Sequence, residues 1–393
     1  MRISSFPVLF CAILLWGAAA LTAQTWTVST VLPTNSGVSD AVIVDGRGTI
    51  YMSDWGRPNG LAGTRVFRLD AQGVFGEFAT GLNRPNGLAI GANDTLYIAN
   101  SYGRTIEKVS PDGVRTTFLN EPDVGGVVFS RNLDTLYYCS YVRNDIHALP
   151  MDGSAPVVIA SGSGDGLSGP VGMILDDAGR LYVANFDAPG TVLHVAAGRA
   201  PVPVGDIPGG AGFIAWADGA IYGTAFARNR IYRIDLDGTV TAIAGSGIPG
   251  SSDGPALSAR FNGPNGIAAT AGGDTLYVTD FFSRSLRMIV RDPATALGDR
   301  PDILPGSIEL TGAYPNPFNP STTIAFQLPR RMAVRLTVYD VVGREVARLV
   351  DATMDAGSHA ARFQPGPEAA SGVFVYRLEA DGRIFSGKLT LVR

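Results

Sequence analysis

The chain has 393 residues, of which 46% are apolar and 17% are charged, and glycine (49) and proline (25) are abundant. This composition favours many short strands joined by tight turns, and it predicts an all-β protein with more than one domain. The net charge of −4 gives no basis for binding nucleic acid or an anionic membrane surface.

The first 23 residues have the pattern of a secretory signal peptide. Arg2 supplies a positive charge, an apolar run follows at 6–21, and Ala23 precedes the predicted cleavage site. No later segment is apolar over a length that could span a bilayer, so we expect no transmembrane segment in the mature chain. Removal of the signal leaves Cys139 as the single cysteine, for which we predict a buried apolar thiol.

A unit of short predicted strands, four of them where it is complete, recurs six times between residues 24 and 291. The predicted strands of the second unit are 87–90, 96–100, 105–110 and 114–119, with an Asp-Gly turn at 112–113. Each unit carries one tyrosine at an equivalent position: Tyr51, Tyr97, Tyr137, Tyr182, Tyr222 and Tyr277. Their spacing is typical of four-stranded propeller blades, so we predict a six-bladed β-propeller over 24–291.

The sixth unit lacks a predicted outer strand, because the chain stops alternating after 286–290. Residues 26–32, ahead of the first unit, form a spare predicted strand. We expect this strand to pair with the last blade and to close the ring, which would leave no exposed sheet edge there.

The C-terminal part reads as a second domain. Residues 292–307 are rich in Pro, Gly and Asp without periodicity and are interpreted as a linker. Residues 308–393 contain an Asp-Gly turn at 381–382. The strands predicted there are 323–328, 334–340, 345–350, 359–363, 373–380 and 388–392. The pattern indicates a small Ig-like β-sandwich of about seven strands.

Two segments of the predicted propeller resemble known families. Residues 240–268 (VTAIAGSGIPGSSDGPALSARFNGPNGIA) resemble an NHL-repeat propeller. The sequence RPNG at 84–87, followed by LY at 96–97, is similar to SMP-30/gluconolactonase-like propellers. The resemblance covers residues 26–290 and implies the fold, while the activities of such propellers include hydrolases, binding scaffolds and structural modules.

The C-terminal domain resembles the type A sorting domain of the bacterial type IX secretion system. The matching sequences are YPNPFNPSTTI at 314–324, VYDVVGREVARLV at 338–350, ASGVFVY at 370–376 and GKL at 387–389. The resemblance implies that the type IX machinery recognises residues 308–393 and exports the protein across the outer membrane of a Gram-negative bacterium. The protein would then be extracellular or attached to the cell surface. An Ig-like structural module without a sorting role is the alternative.

Three repeats carry polar side chains where a ligand site could form. In a propeller, the start of each inner strand and the end of the second strand lie at the same face. Repeats six, one and two become neighbours when the ring closes, and they are the repeats with polar residues at both positions. The six candidate metal ligands are Asp40, Asp54, Asn86, Asn100, Asn265 and Asp280. Such oxygen ligands suit a hard cation such as Ca²⁺, although Asp and Asn at strand ends also cap turns.

Aromatic residues follow the same strands and could form the rim of a ligand site or pack between blades. They are Trp55, Tyr102, Phe281 and Phe282. The gluconolactonase resemblance implies that Asn86 is a metal ligand, but it also expects an Asp where this chain has Val171, and a Glu ligand that has no evident counterpart. No complete catalytic set is recognisable, so catalytic residues stay unassigned and no organic cofactor site is expected.

The sequence leaves three functions open. The first is a secreted or cell-surface propeller that binds a ligand or partner through one face. The second is a Ca²⁺-dependent lactone hydrolase of the SMP-30 type, and the third is a surface structural protein without a specific ligand. The first is favoured because the catalytic set is incomplete.

Overall fold

The computed structural model describes residues 26–57, 59–270, 272–291, 307–314, 316–318, 321–366 and 368–392. These residues are almost entirely strands and turns, with three single-turn 3-10 helices at Ala92–Asp94, Ser163–Asp165 and Phe226–Arg228. Within these ranges no helix has the length and hydrophobicity needed to cross a membrane. The predicted signal peptide and residues 292–306 of the predicted linker lie outside the described residues.

The first strand of the described chain, β1 (Trp26–Leu32), is followed by six sheets, and the first five take their strands in chain order. In the sixth sheet the order is β22-β1-β25-β24-β23. Sheet 1 contains β2 (Val42–Val44), β3 (Ile50–Ser53), β4 (Val66–Leu69) and β5 (Phe75–Ala79). Sheet 2 contains β6 (Pro85–Ile90), β7 (Leu96–Asn100), β8 (Thr105–Val109) and β9 (Arg115–Asn120). Sheet 3 contains β10 (Val124–Phe129), β11 (Thr135–Ser140), β12 (Asp145–Pro150) and β13 (Val157–Ser161).

The same pattern continues through three further sheets. Sheet 4 contains β14 (Pro170–Leu175), β15 (Leu181–Asn185), β16 (Thr191–Val195) and β17 (Val202–Asp206). Sheet 5 contains β18 (Ala211–Ala217), β19 (Ala220–Ala225), β20 (Arg230–Ile234) and β21 (Val240–Ala244). Sheet 6 contains β22 (Gly254–Pro255), β23 (Pro264–Ala269), β24 (Thr275–Asp280) and β25 (Ser285–Arg291), together with β1.

These antiparallel sheets resemble the blades of a propeller in their burial as well as in their order. The innermost strand of sheet 2, β6, is buried at five of its six residues, whereas the outermost strand, β9, is largely exposed. The inner strand is covered on both faces by neighbouring sheets, so it tolerates apolar and small residues throughout. The tyrosine of each predicted unit lies in the strand beside the innermost one, here called the second strand of the sheet, as the repeat spacing indicated.

The prediction that residues 26–32 pair with the last repeat is confirmed. Strand β1 pairs antiparallel with β25, with Trp26 opposite Arg291 and Leu32 opposite Leu286. The short strand β22 pairs with the other edge of β1, which adds a fifth strand that the sequence had not indicated. Sheet 6 is therefore built from both ends of the 26–291 segment.

Glycines in the inner strands let adjacent sheets approach at backbone distance. A Cβ on Gly126 of sheet 3 would lie 2.0 Å from the carbonyl oxygen of Val171 in sheet 4. A Cβ on Gly266 of sheet 6 would lie 2.1 Å from the carbonyl oxygen of Asp40, which precedes sheet 1. Each inner strand contacts the inner strand of the next sheet, and β23 of the sixth sheet contacts β2 of the first.

The described residues from 307 to 392 form two further sheets around a separate apolar core. One sheet has the order β26-β27-β30 and the other β29-β28-β31-β32. The strands are β26 (Glu309–Tyr314), β27 (Thr322–Leu328), β28 (Met332–Asp340), β29 (Glu345–Met354), β30 (Gly357–Phe363), β31 (Gly372–Ala380) and β32 (Arg383–Leu391). Phe318, Phe326, Leu336 and Phe363 are among its buried side chains. The six strands predicted from sequence are present, and β26 is an addition.

Cys139 is a free, fully buried thiol, as predicted. Its Sγ lies 3.2 Å from the carbonyl oxygen of Pro170, and burial raises the pKa of the thiol to about 12. A thiol with such a pKa is protonated at neutral pH, so it acts as a packing residue between sheets 3 and 4 and not as a nucleophile.

Candidate functional site

A cavity of about 390 Å³ lies at the end of the sheets where the inner strands begin. Its floor includes Asp40, Asn86 and Asn265, which precede or open the inner strands of sheets 1, 2 and 6. Gly125 and Val171 occupy the corresponding positions in sheets 3 and 4. One half of the floor is therefore polar and the other half is not. We call this opening the collar mouth, after the aromatic rings described below.

The polar floor is held together by one short hydrogen bond. Asn265 Nδ2 donates to Asp40 Oδ1 at 2.5 Å, which fixes the orientation of the Asn265 amide. The side-chain oxygens Asn86 Oδ1 and Asn265 Oδ1 are buried and have no hydrogen-bond partner among the described residues. Both residues are at least nine-tenths buried, at 9% and 8% exposure. A buried unpaired acceptor costs about 1–3 kcal/mol, which makes these two oxygens candidates for contact with a ligand.

Asp40 is the most unusual ionisable group of the floor. It is 2% exposed, and its main-chain carbonyl accepts a hydrogen bond from Thr279 Oγ1 of sheet 6. Burial holds the pKa of the Asp40 carboxyl well above its ordinary range, and the nearby charge of Asp54 raises it further. A positive charge placed beside Asp40 would offset that burial cost.

Of the six predicted ligands, the structure brings Asp40, Asn86 and Asn265 together at the cavity and places Asp54, Asn100 and Asp280 elsewhere. Asn100 stabilises a turn. Its Oδ1 accepts a hydrogen bond from the main-chain amide of Asn83 at 2.7 Å, and its Nδ2 donates to Thr105 Oγ1. It is a buried strand-end residue of the capping kind that the sequence left open.

Asp54 and Asp280 each form an ion pair with an arginine. Arg284 Nη1 lies 3.0 Å from Asp54 Oδ1 and its Nη2 lies 3.1 Å from Asp54 Oδ2, so the pair is bidentate. Arg287, which is fully buried, approaches Asp280 Oδ2 at 3.3 Å. Burial raises the pKa of Asp280 to about 6 in spite of that arginine. Both carboxyls therefore join neighbouring segments and do not face the cavity.

Six aromatic rings surround the cavity, one from the loop that follows the second strand of each sheet. In five sheets the ring is four positions after the repeat tyrosine, and in sheet 2 it is five positions after it. The rings that line the cavity, here named the collar, are Trp55, Tyr102, Tyr141, Phe186, Phe226 and Phe281. The sequence prediction included three of them and missed Tyr141, Phe186 and Phe226, although the offset of four positions from the repeat tyrosine was a signal for all three.

The collar rings pack against one another along most of the rim, in tilted and edge-to-face arrangements. The ring centroids of Phe186 and Phe226 are 5.6 Å apart, and those of Phe226 and Phe281 are 5.7 Å apart. Trp55 and Tyr102 form a separate perpendicular pair at 5.7 Å. Phe282, the fourth predicted rim residue, does not line the cavity and packs against Phe226 and Phe281 from outside.

The charged residues that line the collar mouth are all acidic. Asp40 and the half-buried Asp123 line the cavity, and no lysine, arginine or histidine is among the described lining residues. Arg84 lies just outside, with its guanidinium carbon 5.4 Å from the Trp55 ring centroid and 5.0 Å from that of Tyr102. The rim thus already accommodates one cation of the chain itself on its aromatic faces.

A second cavity of about 670 Å³ lies where the inner strands end, here named the opposite mouth. Its acidic side chains all have partners within the protein, and Asp45 Oδ1 accepts the backbone amides of Arg47 and Thr49 at 2.8 Å each. Asp177 accepts hydrogen bonds from Arg131 Nη2 at 3.1 Å and from Trp216 Nε1 at 3.0 Å. Asp218 pairs with Arg291 at 2.6 Å.

The collar floor offers a metal ion one carboxylate and two amide oxygens. These are hard oxygen donors, and the two amide oxygens lack other partners, so the donor type fits Ca²⁺. Three protein oxygens are fewer than the six to eight that Ca²⁺ usually takes. Among the described residues no three His, Cys, Asp or Glu side chains are grouped to hold a metal ion.

Comparison with known proteins supports the fold. A family model described as a repeat of unknown function (DUF6923) matches residues 153–281. No curated protein matches the chain in sequence.

Similar solved structures include an auxiliary nutrient binding protein from Bacteroides thetaiotaomicron, with 15% identity, a TM-score of 0.57, and coverage of 68% of this chain and 77% of that one. A gluconolactonase from Xanthomonas campestris has 16% identity, a TM-score of 0.55, and coverage of 70% and 93%. An auxiliary nutrient binding protein from Bacteroides ovatus has 15% identity, a TM-score of 0.54, and coverage of 68% and 77%. The chain therefore has a β-propeller fold.

Proposed function

We propose that residues 24–291 form a six-bladed β-propeller that binds a small molecule in the collar mouth. The observation that carries this proposal is the combination of a 390 Å³ cavity, a collar of six aromatic rings and two buried amide oxygens without partners. Ligand sites are typically concave and mostly apolar with a few converging polar groups, and this cavity has that composition. The structural likeness to nutrient binding proteins is compatible with it.

Filling the cavity tests the proposal directly. A Cβ on Gly125 would meet only ordinary contacts of 3.5 Å and beyond, so Gly125→Leu should fold and project a side chain into the collar mouth. The matched control is Gly46→Leu, which lies at the opposite mouth, where a Cβ would meet no atom within 4 Å.

The measurement is a thermal-shift screen of sugars, amines, lactones and nucleosides against residues 24–393 and both variants. We expect ligands that stabilise the parent and the Gly46→Leu variant but not the Gly125→Leu variant. Ligands that act equally on all three proteins would place binding outside the collar mouth and overturn the proposal. An absence of any ligand would favour a surface structural protein.

The second candidate is a Ca²⁺-dependent lactone hydrolase. The oxygen set of Asp40, Asn86 and Asn265 and the structural likeness to a gluconolactonase favour it. Bound Ca²⁺ would polarise a lactone carbonyl, while Asp40 would supply the charge that holds the metal. Hydrolysis of glucono-δ-lactone that requires Ca²⁺ and is lost in Asp40→Asn would support this candidate, and a rate unaffected by EDTA would exclude it.

We also propose that residues 308–393 are an Ig-like sorting domain recognised by type IX secretion machinery and that the protein is exported to the cell surface or medium. The seven-stranded, two-sheet arrangement and the sequence motifs given above support this proposal. The test is deletion of residues 308–393 in a host with that system. A folded propeller retained in the periplasm is expected, and the truncated form in the medium would contradict the proposal.

A further inference from the structure

We propose that the ligand of the collar mouth is an organic ammonium compound, with its cationic nitrogen at Asp40 and its apolar part against the collar. This inference rests on the proposed function, since it names the chemical class that the same cavity takes. It follows from three independent features of the cavity: its charge, its balance of hydrogen-bond donors and acceptors, and its aromatic wall.

The charge of the cavity selects against anions. Asp40 and Asp123 are the charged residues of the described lining, and both are carboxyls. Asp40 is almost fully buried, and its hydrogen bond comes from a neutral amide, that of Asn265. A buried carboxylate without a cationic partner is costly, and a ligand cation would supply the missing charge.

The hydrogen-bonding groups of the floor are mainly acceptors. Asn86 Oδ1 and Asn265 Oδ1 are unpaired acceptors beside the Asp40 carboxyl, Asn265 Nδ2 is already used by Asp40, and Asn86 Nδ2 is the other amide donor. A primary ammonium brings three donors and no acceptor, which matches this floor. A neutral sugar brings hydroxyls that each also need a donor, so it fits less well.

The aromatic wall separates an organic cation from a bare metal ion. Tyr141, Phe186, Phe226 and Phe281 form a continuous row of rings, with centroids 5.6 to 6.2 Å apart. Aromatic faces attract ammonium groups and pack well against apolar carbon. A metal ion at the floor would use the oxygens but leave this apolar surface without a partner.

The test compares two probes that differ in charge and have nearly the same shape. 2-Phenylethylamine is an ammonium at pH 7, and 2-phenylethanol is its neutral counterpart. We would titrate each into residues 24–393 by calorimetry, after EDTA treatment. We expect saturable binding of the amine with a dissociation constant at least tenfold lower than that of the alcohol.

Two substitutions locate the selectivity. Asp40→Asn keeps an acceptor for the Asn265 amide and removes the charge, so it should fold and lose the tenfold preference for the amine. Asp177→Asn, the same change at the opposite mouth, should keep the preference. A preference that survives Asp40→Asn overturns the inference.

Other outcomes separate this inference from the function on which it rests. Equal binding of amine and alcohol, blocked by Gly125→Leu, overturns the ammonium class and keeps a ligand site in the collar mouth. If Ca²⁺ or a neutral sugar binds in a Gly125-dependent way and the amine does not, the inference fails and the site stands. If no compound is sensitive to Gly125→Leu, both fail.

Discussion

The two mouths of the propeller are built from opposite ends of the same inner strands. They differ in whether their polar side chains have partners within the protein. At the opposite mouth, Asp177 and Asp218 are paired with arginines of the chain. At the collar mouth, Asp40 has one amide donor and two neighbouring amide oxygens have none. Polar groups that are satisfied internally stabilise the fold, whereas unsatisfied ones in a cavity retain the capacity to bind.

The comparison also shows why polarity at strand ends is a weak guide to function. Asp54 and Asp280 are carboxyl residues near strand ends, as Asp40 is, but each forms an ion pair with an arginine, Arg284 or Arg287. What distinguishes a candidate site residue from a structural one is the absence of an internal partner. The variants below test the difference between the mouths, from the largest expected effect to the smallest.

Loss of the closing strand should abolish both mouths together. Deleting residues 26–32 exposes the edge of β25 and removes the buried side chains of Trp26, Val28 and Leu32. We expect residues 33–393 to lose the cooperative thermal transition of the propeller, measured by calorimetry and circular dichroism.

A pair of point variants controls for the truncation. Val28→Asp, on the buried face of β1, should lower the melting temperature by about 10 °C or more, since it buries an unpaired charge. Thr27→Asp, on the exposed face, should change it by no more than about 2 °C. Equal effects would show that β1 does not close the ring.

Widening the seam between sheets 6 and 1 should damage the collar mouth selectively. Gly266→Ala places a Cβ 2.1 Å from the Asp40 carbonyl oxygen, so the backbone beneath Asp40 must move. We expect a loss of about 1–3 kcal/mol in the free energy of unfolding and at least tenfold weaker binding of 2-phenylethylamine. Chemical denaturation and calorimetry measure both. Gly46→Ala, where no atom lies within 4 Å, is the control and should leave both unchanged.

Removing the charge of Asp40 should stabilise the free protein at neutral pH. Its carboxyl has a higher pKa folded than unfolded, so the folded state binds more protons and stability falls as pH rises above about 4. Asp40→Asn removes this loss, so its melting temperature should exceed that of the parent at pH 7 by a few degrees, about 2–5 °C. The melting temperatures of the parent and of Asp40→Asn should become equal near pH 4, and thermal scans at a series of pH values measure them.

Asp177→Asn again provides the control. This carboxyl is exposed and pairs with Arg131 on the surface, so its removal should change the free energy of unfolding by about 0.5 kcal/mol or less at pH 7. If Asp177→Asn stabilised the protein as much as Asp40→Asn does, burial of Asp40 at the collar floor would not be the cause of the stabilisation.

The smallest effect is expected for the exposed part of the collar. Tyr102 is 63% exposed and contacts Trp55 edge to face. Tyr102→Ala should change the free energy of unfolding by about 0.5 kcal/mol or less, while weakening 2-phenylethylamine binding about two- to fivefold. Unchanged affinity in a calorimetric titration would exclude this ring from ligand contact.

The sequence predicted the repeat, the closing strand and the polar floor, which holds half of the six predicted ligands, because these depend on local periodicity. The spacing of the repeat tyrosines located the second strand of every sheet, and Asp40, Asn86 and Asn265 could be found by their place ahead of or within the inner strands. The sequence did not predict that Asp54 pairs with Arg284, because the two are 230 positions apart and meet through ring closure. Partners of this kind depend on tertiary structure.

The collar was missed for a different reason. Polar residues at the strand ends distinguish only sheets 1, 2 and 6, so that pattern gives no signal for the equivalent rings of sheets 3, 4 and 5. Tyr141, Phe186 and Phe226 stand at the same offset as Trp55 and Phe281 from their repeat tyrosines. This position is aromatic in five of the six repeats, and in the second repeat the ring, Tyr102, comes one position later.

The pairing of Trp26 with Arg291 also determines the order in which the molecule can assemble. Strand β1 is the first strand of the ring to leave the ribosome, and it has no pairing partner until β25 of the last sheet has been synthesised. During that interval the earlier sheets can form, but the ring stays open and β1 presents an unpaired edge, which favours slow folding and the binding of chaperones. Synthesis of β25 therefore permits the step that completes both mouths at once.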